Sequence, residues 1–144
     1  MSQNIVFISM NLSLINVENY FSNKEVEAID EFVHYLQSEL PLHKNVSIHF
    51  EKERNEPMTT GVRLPKHNIH VLAKDRLLID ILRTLSHEWV HEYQHQKLGL
   101  KDTDKIQDIG GPEENMANVL SGIFIKKFVK GFPHHKKAVF GELD

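Results

Sequence analysis

Ten histidines and no cysteine in 144 residues make imidazole the natural place to look for chemistry. Imidazole is the commonest metal ligand and the one side chain whose ordinary pKa lies near neutrality. The lack of cysteine removes a disulfide framework, an iron–sulfur cluster, a cysteine-ligated zinc site and a cysteine nucleophile. One run stands out: His87-Glu88-Trp89-Val90-His91. Residues four apart on an α-helix share a face. Two imidazoles so placed can approach one zinc ion, whose nitrogen ligands sit about 2.0–2.1 Å away. Glu88 follows the first histidine, so its carboxylate can reach a metal-bound water without being a ligand. That is the geometry of zinc-assisted peptide hydrolysis with the glutamate as general base. The alternative is a helix with two surface histidines and nothing bound.

A catalytic zinc site needs a third protein ligand and an open fourth position. A histidine six residues past the second, after a helix-breaking glycine, would need glycine at 94 and histidine at 97. The chain has Gln94 and Lys97 there. His95 lies about 12 Å along the axis from His87 at 1.5 Å per residue, too far to share one ion. What remains is an acid from the next helical segment, Glu113-Glu114-Asn115-Met116-Ala117-Asn118. Glu114 and Asn118 share a face there, so Asn118 can accept the ring N–H of a ligand histidine. Ala117, Ser121 and Gly122 carry little bulk and permit a close helix approach, while Met116, Leu120, Ile123, Phe124 and Phe128 can face the core. A solvated acid pair at a helix N-terminus is the competing account of Glu113 and Glu114.

Several elements must position these groups. Val6, Ile8, Met10, Leu12 and Leu14 alternate with Ser9, Asn11 and Ser13 over part of that run, which predicts one long strand over 6–14. Ser22 and Glu25 have capping-box spacing, with Phe21 and Val26 as a staple. Val26, Ile29, Val33, Leu36 and Leu40 then form one apolar stripe, and Pro41 stops the helix, giving a helix over about 23–40. Three short strands follow around Val46–Phe50, Val62–Leu64 and Ile69–Val71, with Asn55-Glu56-Pro57 and Pro65-Lys66 as turns. Asp75 reads as the N-cap of a helix carrying Leu78, Leu82, Leu85 and Trp89, and Gly99 as its left-handed end. After a polar loop over about 101–111, Pro112 opens a helix that runs to about Lys130 and stops at Gly131 and Pro133. The fold class expected is α+β: a small, mostly antiparallel sheet of three to four strands packed on three helices. Residues 131–144 read as a tail of a single domain spanning 1–144.

His87-Glu88-x-x-His91 followed by Glu114-x-x-Ala117-Asn118 resembles the gluzincin metallopeptidases, most closely the small ImmA/IrrE-type and phage-encoded members. The resemblance covers about residues 75–130 in motif and extends loosely back to 23 in the order of elements. It implies one zinc ion held by His87, His91 and Glu114, with Glu88 as the catalytic acid and base. It also implies a protein or peptide substrate lying extended along an edge strand, expected near 69–72. Members of the family often add a His, Tyr or Arg donor to the oxyanion, for which Tyr93, His134 and His135 are the candidates. The strand-like segment at 6–14 is additional to the pattern. The chain also reads Ile123-Phe124-Ile125-Lys126 where ImmA-type domains have Leu-Leu-Met-Pro.

His34, His43, His49, His67 and His70 have no ligand spacing with one another and read as structural or surface groups. Asp102, Asp104 and Asp108 do not make a calcium loop, which would need an oxygen ligand at 106 and a glycine at 107. With 17 basic against 20 acidic residues and no long run of either sign, no nucleic-acid stripe or membrane patch is expected. No segment approaches the roughly 18–20 apolar residues of a bilayer span, and the N-terminus lacks a signal peptide's basic region. A cytoplasmic protein is expected, or one of the virion or host cytoplasm if phage-encoded. Geometry and availability decide metal identity as much as ligand type, so another divalent ion is open. The competing functional reading is a catalytically silent, zincin-like binding or assembly protein that keeps its metal for structure.

Overall fold

A computed structural model describes residues 5–9, 11–53, 60–101 and 111–141. The strands are β1 (Ile5–Ser9), β2 (Leu12–Ile15), β3 (Val46–Glu51), β4 (Gly61–Leu64) and β5 (Asn68–Leu72). The helices are α1 (Asn23–Glu39), α2 (Leu78–Lys97), α3 (Pro112–Gly131) and the short α4 (Lys136–Phe140). The fold is α+β, as expected.

The sheet has five strands in the order β1-β2-β3-β5-β4 and is mixed rather than mostly antiparallel. β1–β2 and β5–β4 pair antiparallel, whereas β2–β3 and β3–β5 pair parallel. The chain leaves β2 through α1 and must return along the same direction, so β3 lies parallel beside it. β4 then skips a place and folds back as the outer partner of β5, leaving β5 parallel to β3. The single strand expected over 6–14 is instead the hairpin β1–β2. Its register shifts between Phe7 and Ser9, which keeps Val6 opposite Leu14. An irregularity of that kind absorbs one residue and lets a period-two pattern pass through a turn with its parity intact.

Alternation decides which face of the sheet meets the helices. Val46, Ile48 and Phe50 of β3 and Ile69 and Val71 of β5 are buried, and Ser47, His49, Glu51, Asn68 and His70 face the other way, half-buried. Onto the apolar face α1 lays Ala28, Ile29, Phe32, Val33 and Leu36. α2 adds Leu78, Ile81, Leu82, Leu85 and Trp89, and α3 adds Phe124 and Phe128. Phe32 meets Phe128 edge to face with ring centroids 5.0 Å apart. Each such side chain contributes about 1.5–3 kcal/mol by leaving water. Trp89 stays buried without a lost hydrogen bond, because its indole N–H donates to Leu40 O at 3.0 Å.

The capping box forms. The Glu25 N–H donates to Ser22 Oγ, and the Ser22 N–H donates to Glu25 Oε1 at 2.9 Å. α2 begins differently from the expectation. Leu77 occupies the N-cap position without a side-chain bond, and Asp75 lies outside the helix at φ 60°. Asp tolerates the left-handed region better than most residues, so it serves the turn instead. Arg76 ties that turn down, donating to Leu72 O at 2.7 Å and to Thr84 Oγ1 at 2.9 Å. Gly99 does supply the left-handed residue after α2, at φ 79°. The segment expected to be a tail instead carries a 3-10 turn, Pro133–His135, and α4, with His135 and Val139 buried. Among the described residues no helix is long and apolar enough to cross a membrane. Asp102, Asp104, Asp108 and the turn at 55–57 lie outside the described residues.

Candidate metal centre

α2 and α3 pack closely because α3 presents small residues to its neighbour: Ala117 and Ser121 are buried. Gly122, the third small residue, is exposed instead. Phe124 and Phe128 turn to the core, Met116 and Leu120 sit at its margin, and Ile123 stays exposed. This crossing brings Glu114, in the first turn of α3, over the middle of α2. His87 Nε2 lies 2.7 Å from Glu114 Oε1, and His91 Nε2 lies 3.1 Å from Glu114 Oε2. The two imidazole nitrogens are 3.2 Å apart. Neighbouring ligands of a tetrahedral zinc site sit about 3.3–3.4 Å apart when each lies about 2.0–2.1 Å from the ion. The donor set is therefore close to that spacing already.

The hydrogen bonds around these atoms fit a cation. Gln94 is buried, and its Nε2 donates to Glu113 O at 2.9 Å. Its Oε1 must then accept, so His91 Nδ1–H donates to it at 2.9 Å. His91 Nδ1 is thereby committed to Gln94, which leaves Nε2 as the ring atom that faces His87 and Glu114. Burial pushes the His87 pKa down, with His91 acting the same way and Glu114 opposing both. The two Nε2 atoms and both Glu114 carboxylate oxygens face one another across this small space. A divalent cation can be held by both imidazoles and the carboxylate together.

Glu88 is buried beside them, and its pKa is pushed up to about 8. Burial is the main cause and the Glu114 charge adds to it, while the Arg63 backbone N–H opposes by bonding the carboxylate. Glu88 opens with His87 onto a cleft of about 330 Å³. Thr60 and Gly61, at the start of β4, form one wall, and Asn118 and Gly122 of α3 form the other. Arg83, one helical turn before His87, is the cation on its rim.

The sequence-derived candidates separate clearly. His87, Glu88, His91 and Glu114 come together. Asn118 reaches the cleft wall but is exposed, and Gln94 is the residue that orients His91. Tyr93 is half-buried against the core. His134 and His135 are directed elsewhere, with Nε2 atoms 3.4 and 2.9 Å from Glu31 of α1. The three oxyanion candidates are therefore not assembled here, and the cationic group at the cleft is Arg83. Nor is the strand at 69–72 an edge: β5 lies between β3 and β4, and β4 is the edge strand beside the cleft.

Gly61 is a close-packed position on the cleft wall that sequence reasoning missed. A Cβ there would lie 2.4 Å from Thr84 Cγ2, 3.2 Å from His70 O and 3.3 Å from Glu88 Cγ. Thr84 cannot rotate freely away, since Arg76 holds its hydroxyl. We expect Gly61→Ala to push β4 off α2, costing about 1–3 kcal/mol as overpacking does. Chemical denaturation measures that cost. A variant as stable as wild type would show that β4 and α2 are not in tight contact.

Protein-family models, curated proteins and solved structures were compared with the chain, and none matches.

Proposed function

We propose that this protein is a zinc-dependent peptidase, with His87, His91 and Glu114 as ligands and Glu88 as general base. One observation carries the reading. Two imidazoles and a carboxylate from crossing helices converge on one point, and a second, buried carboxyl, that of Glu88, shares the cleft. The similarity of the motif to the gluzincins supports the same reading. A purely structural site has no use for Glu88.

A divalent ion held by His87, His91 and Glu114 would supply Lewis acidity and would bring the pKa of water toward neutrality. The chain's own groups do the rest. Gln94 keeps the His91 lone pair aimed at the site. Glu88 takes a proton from the attacking water and delivers it to the leaving amide nitrogen. β4 offers its outer edge to an extended peptide, whose main-chain pairing gives affinity with little sequence choice.

The test is hydrolysis of an unfolded protein such as casein. Cleavage by zinc-loaded protein should stop with chelator and return when zinc is restored. Protein that binds zinc through His91, yet cleaves no unfolded substrate, would instead be a silent metal-holding protein.

A further inference from the structure

The C-terminal turn holds a second set of metal donors, far from the first in sequence. His134 and His135 are adjacent, and side chains of adjacent residues ordinarily diverge. Here the 3-10 turn Pro133–His135 and the packing around it aim both rings the same way. His135 Nε2 lies 2.9 Å and His134 Nε2 lies 3.4 Å from the same oxygen, Glu31 Oε1 of α1. The His135 ring is buried and nearly parallel to that of Phe128, at 9° and 6.0 Å. Phe132 stacks against it from the same turn, at 27°. The ring is therefore held by aromatic neighbours on one side and by Glu31 at its Nε2. His134 is exposed, with its ring centroid 4.1 Å from that of His135.

The surroundings suit an ion as well. His134 and His135 also line a pocket of about 370 Å³, shared with Glu25, Glu27, Lys24 and Lys137, which leaves room for water beside the two rings. Glu27, one helical turn before Glu31 on α1, lines the same pocket and places a second carboxylate on that face. Two imidazole nitrogens and one carboxylate oxygen, all within 4.8 Å of one another, form a donor set that suits borderline first-row divalent ions. The half-buried group His49, Glu51 and His70 on β3 and β5 meets the same distance criterion. Its two rings lie stacked at 6°. Parallel stacked rings direct their lone pairs alongside each other rather than to one point, so that group is the weaker candidate.

We propose that Glu31, His134 and His135 form a second divalent-cation site, which staples the C-terminal turn to α1. It shares no residue with the His87–His91–Glu114 centre and stands whether or not that centre is catalytic. An ion bound only by the folded chain stabilises it by mass action. Zinc should therefore raise the unfolding temperature through this site as well as through the first.

The experiment is a zinc count after gel filtration, on wild type, His134→Ala, Glu31→Gln and His91→Ala. Wild type should retain two equivalents, and His134→Ala and Glu31→Gln one each, with hydrolysis unchanged. His134 is exposed, so its replacement leaves the core intact. His91→Ala should lose the other equivalent and keep this one. A His134→Ala protein that retains as much zinc as wild type overturns the proposal, as does a wild type that retains none. The same holds if zinc raises the unfolding temperature of His134→Ala as much as that of wild type. In those cases Glu31 and the two histidines form an ion pair and nothing more.

Discussion

Glu88→Gln should bind zinc as wild type does and lose about 10²–10⁴-fold in hydrolysis of unfolded protein, the range a positioned general base contributes. The substitution keeps the shape of the side chain and removes only its capacity to take a proton. The proposed ligands His87, His91 and Glu114 are untouched, so metal content and catalysis should separate. The same variant should behave in the opposite sense in stability. In the metal-free fold Glu88 has its pKa raised from 4.5 to about 8 by burial and by Glu114. The folded chain therefore holds this proton where the unfolded chain releases it. Stability that is fully present below about pH 4.5 falls as pH rises and is lost by about pH 8. Glutamine does not ionise, so the metal-free variant should match wild type near pH 4 and exceed it near pH 9. A raised pKa of this size is worth on the order of a few kcal/mol. A bound cation reverses the local electrostatics and should shrink the difference. Urea unfolding with chelator at the two pH values, beside a metal assay, checks both halves. Hydrolysis that survives the substitution would remove Glu88 from the mechanism.

What the sequence disclosed and what it hid divide along the range of the interactions. The Ser22–Glu25 cap, the Pro41 stop and the His87–His91 pairing all depend on residues within one helical turn, and all were legible. Glu114 was reached through a motif whose helix spacing is also local. Gln94 was not, because its role depends on Glu113 O, which arrives only when α3 crosses α2. A polar residue three past His91 was the available signal, since that spacing shares a face of the helix. Strand order was hidden for a similar reason. Nothing within 68–72 says that β3 pairs on one side and β4 on the other, so the edge was assigned to the wrong strand. The Gly61 contact likewise needs Thr84 and Glu88 of α2 to be seen at all. His134 and Glu31 are about a hundred residues apart, and no spacing rule joins them.

The largest loss of stability from a single change should come from Glu92→Ala. Glu92 is wholly buried on α2 and accepts from three directions. Arg63 Nε donates to its Oε1 at 2.6 Å, and His67 Nδ1 and Gln96 Nε2 meet its Oε2 at 2.7 and 2.6 Å. Removing the carboxylate breaks the buried Arg63–Glu92 pair on one side only, which costs about 3–5 kcal/mol. A second loss adds to this. Lys66 and His67 both take positive φ, at 66° and 62°, in the turn that joins β4 to β5. Each costs on the order of 1–2 kcal/mol for a residue with a Cβ, and the Glu92 bond to His67 helps to hold that turn. The effect should reach the proposed metal centre, because Arg63 is also the residue whose backbone N–H bonds Glu88. Hydrolysis should therefore fall even where the variant remains folded. Pairing Glu92→Leu with Arg63→Met tests the cause. Exchanging a buried ion pair for apolar side chains is often close to neutral, so the double variant should regain most of the lost stability. Denaturant unfolding of the single and double variants decides it. If the double variant is as unstable as Glu92→Ala, the stability resides in the His67 and Gln96 bonds rather than in the balance of charge.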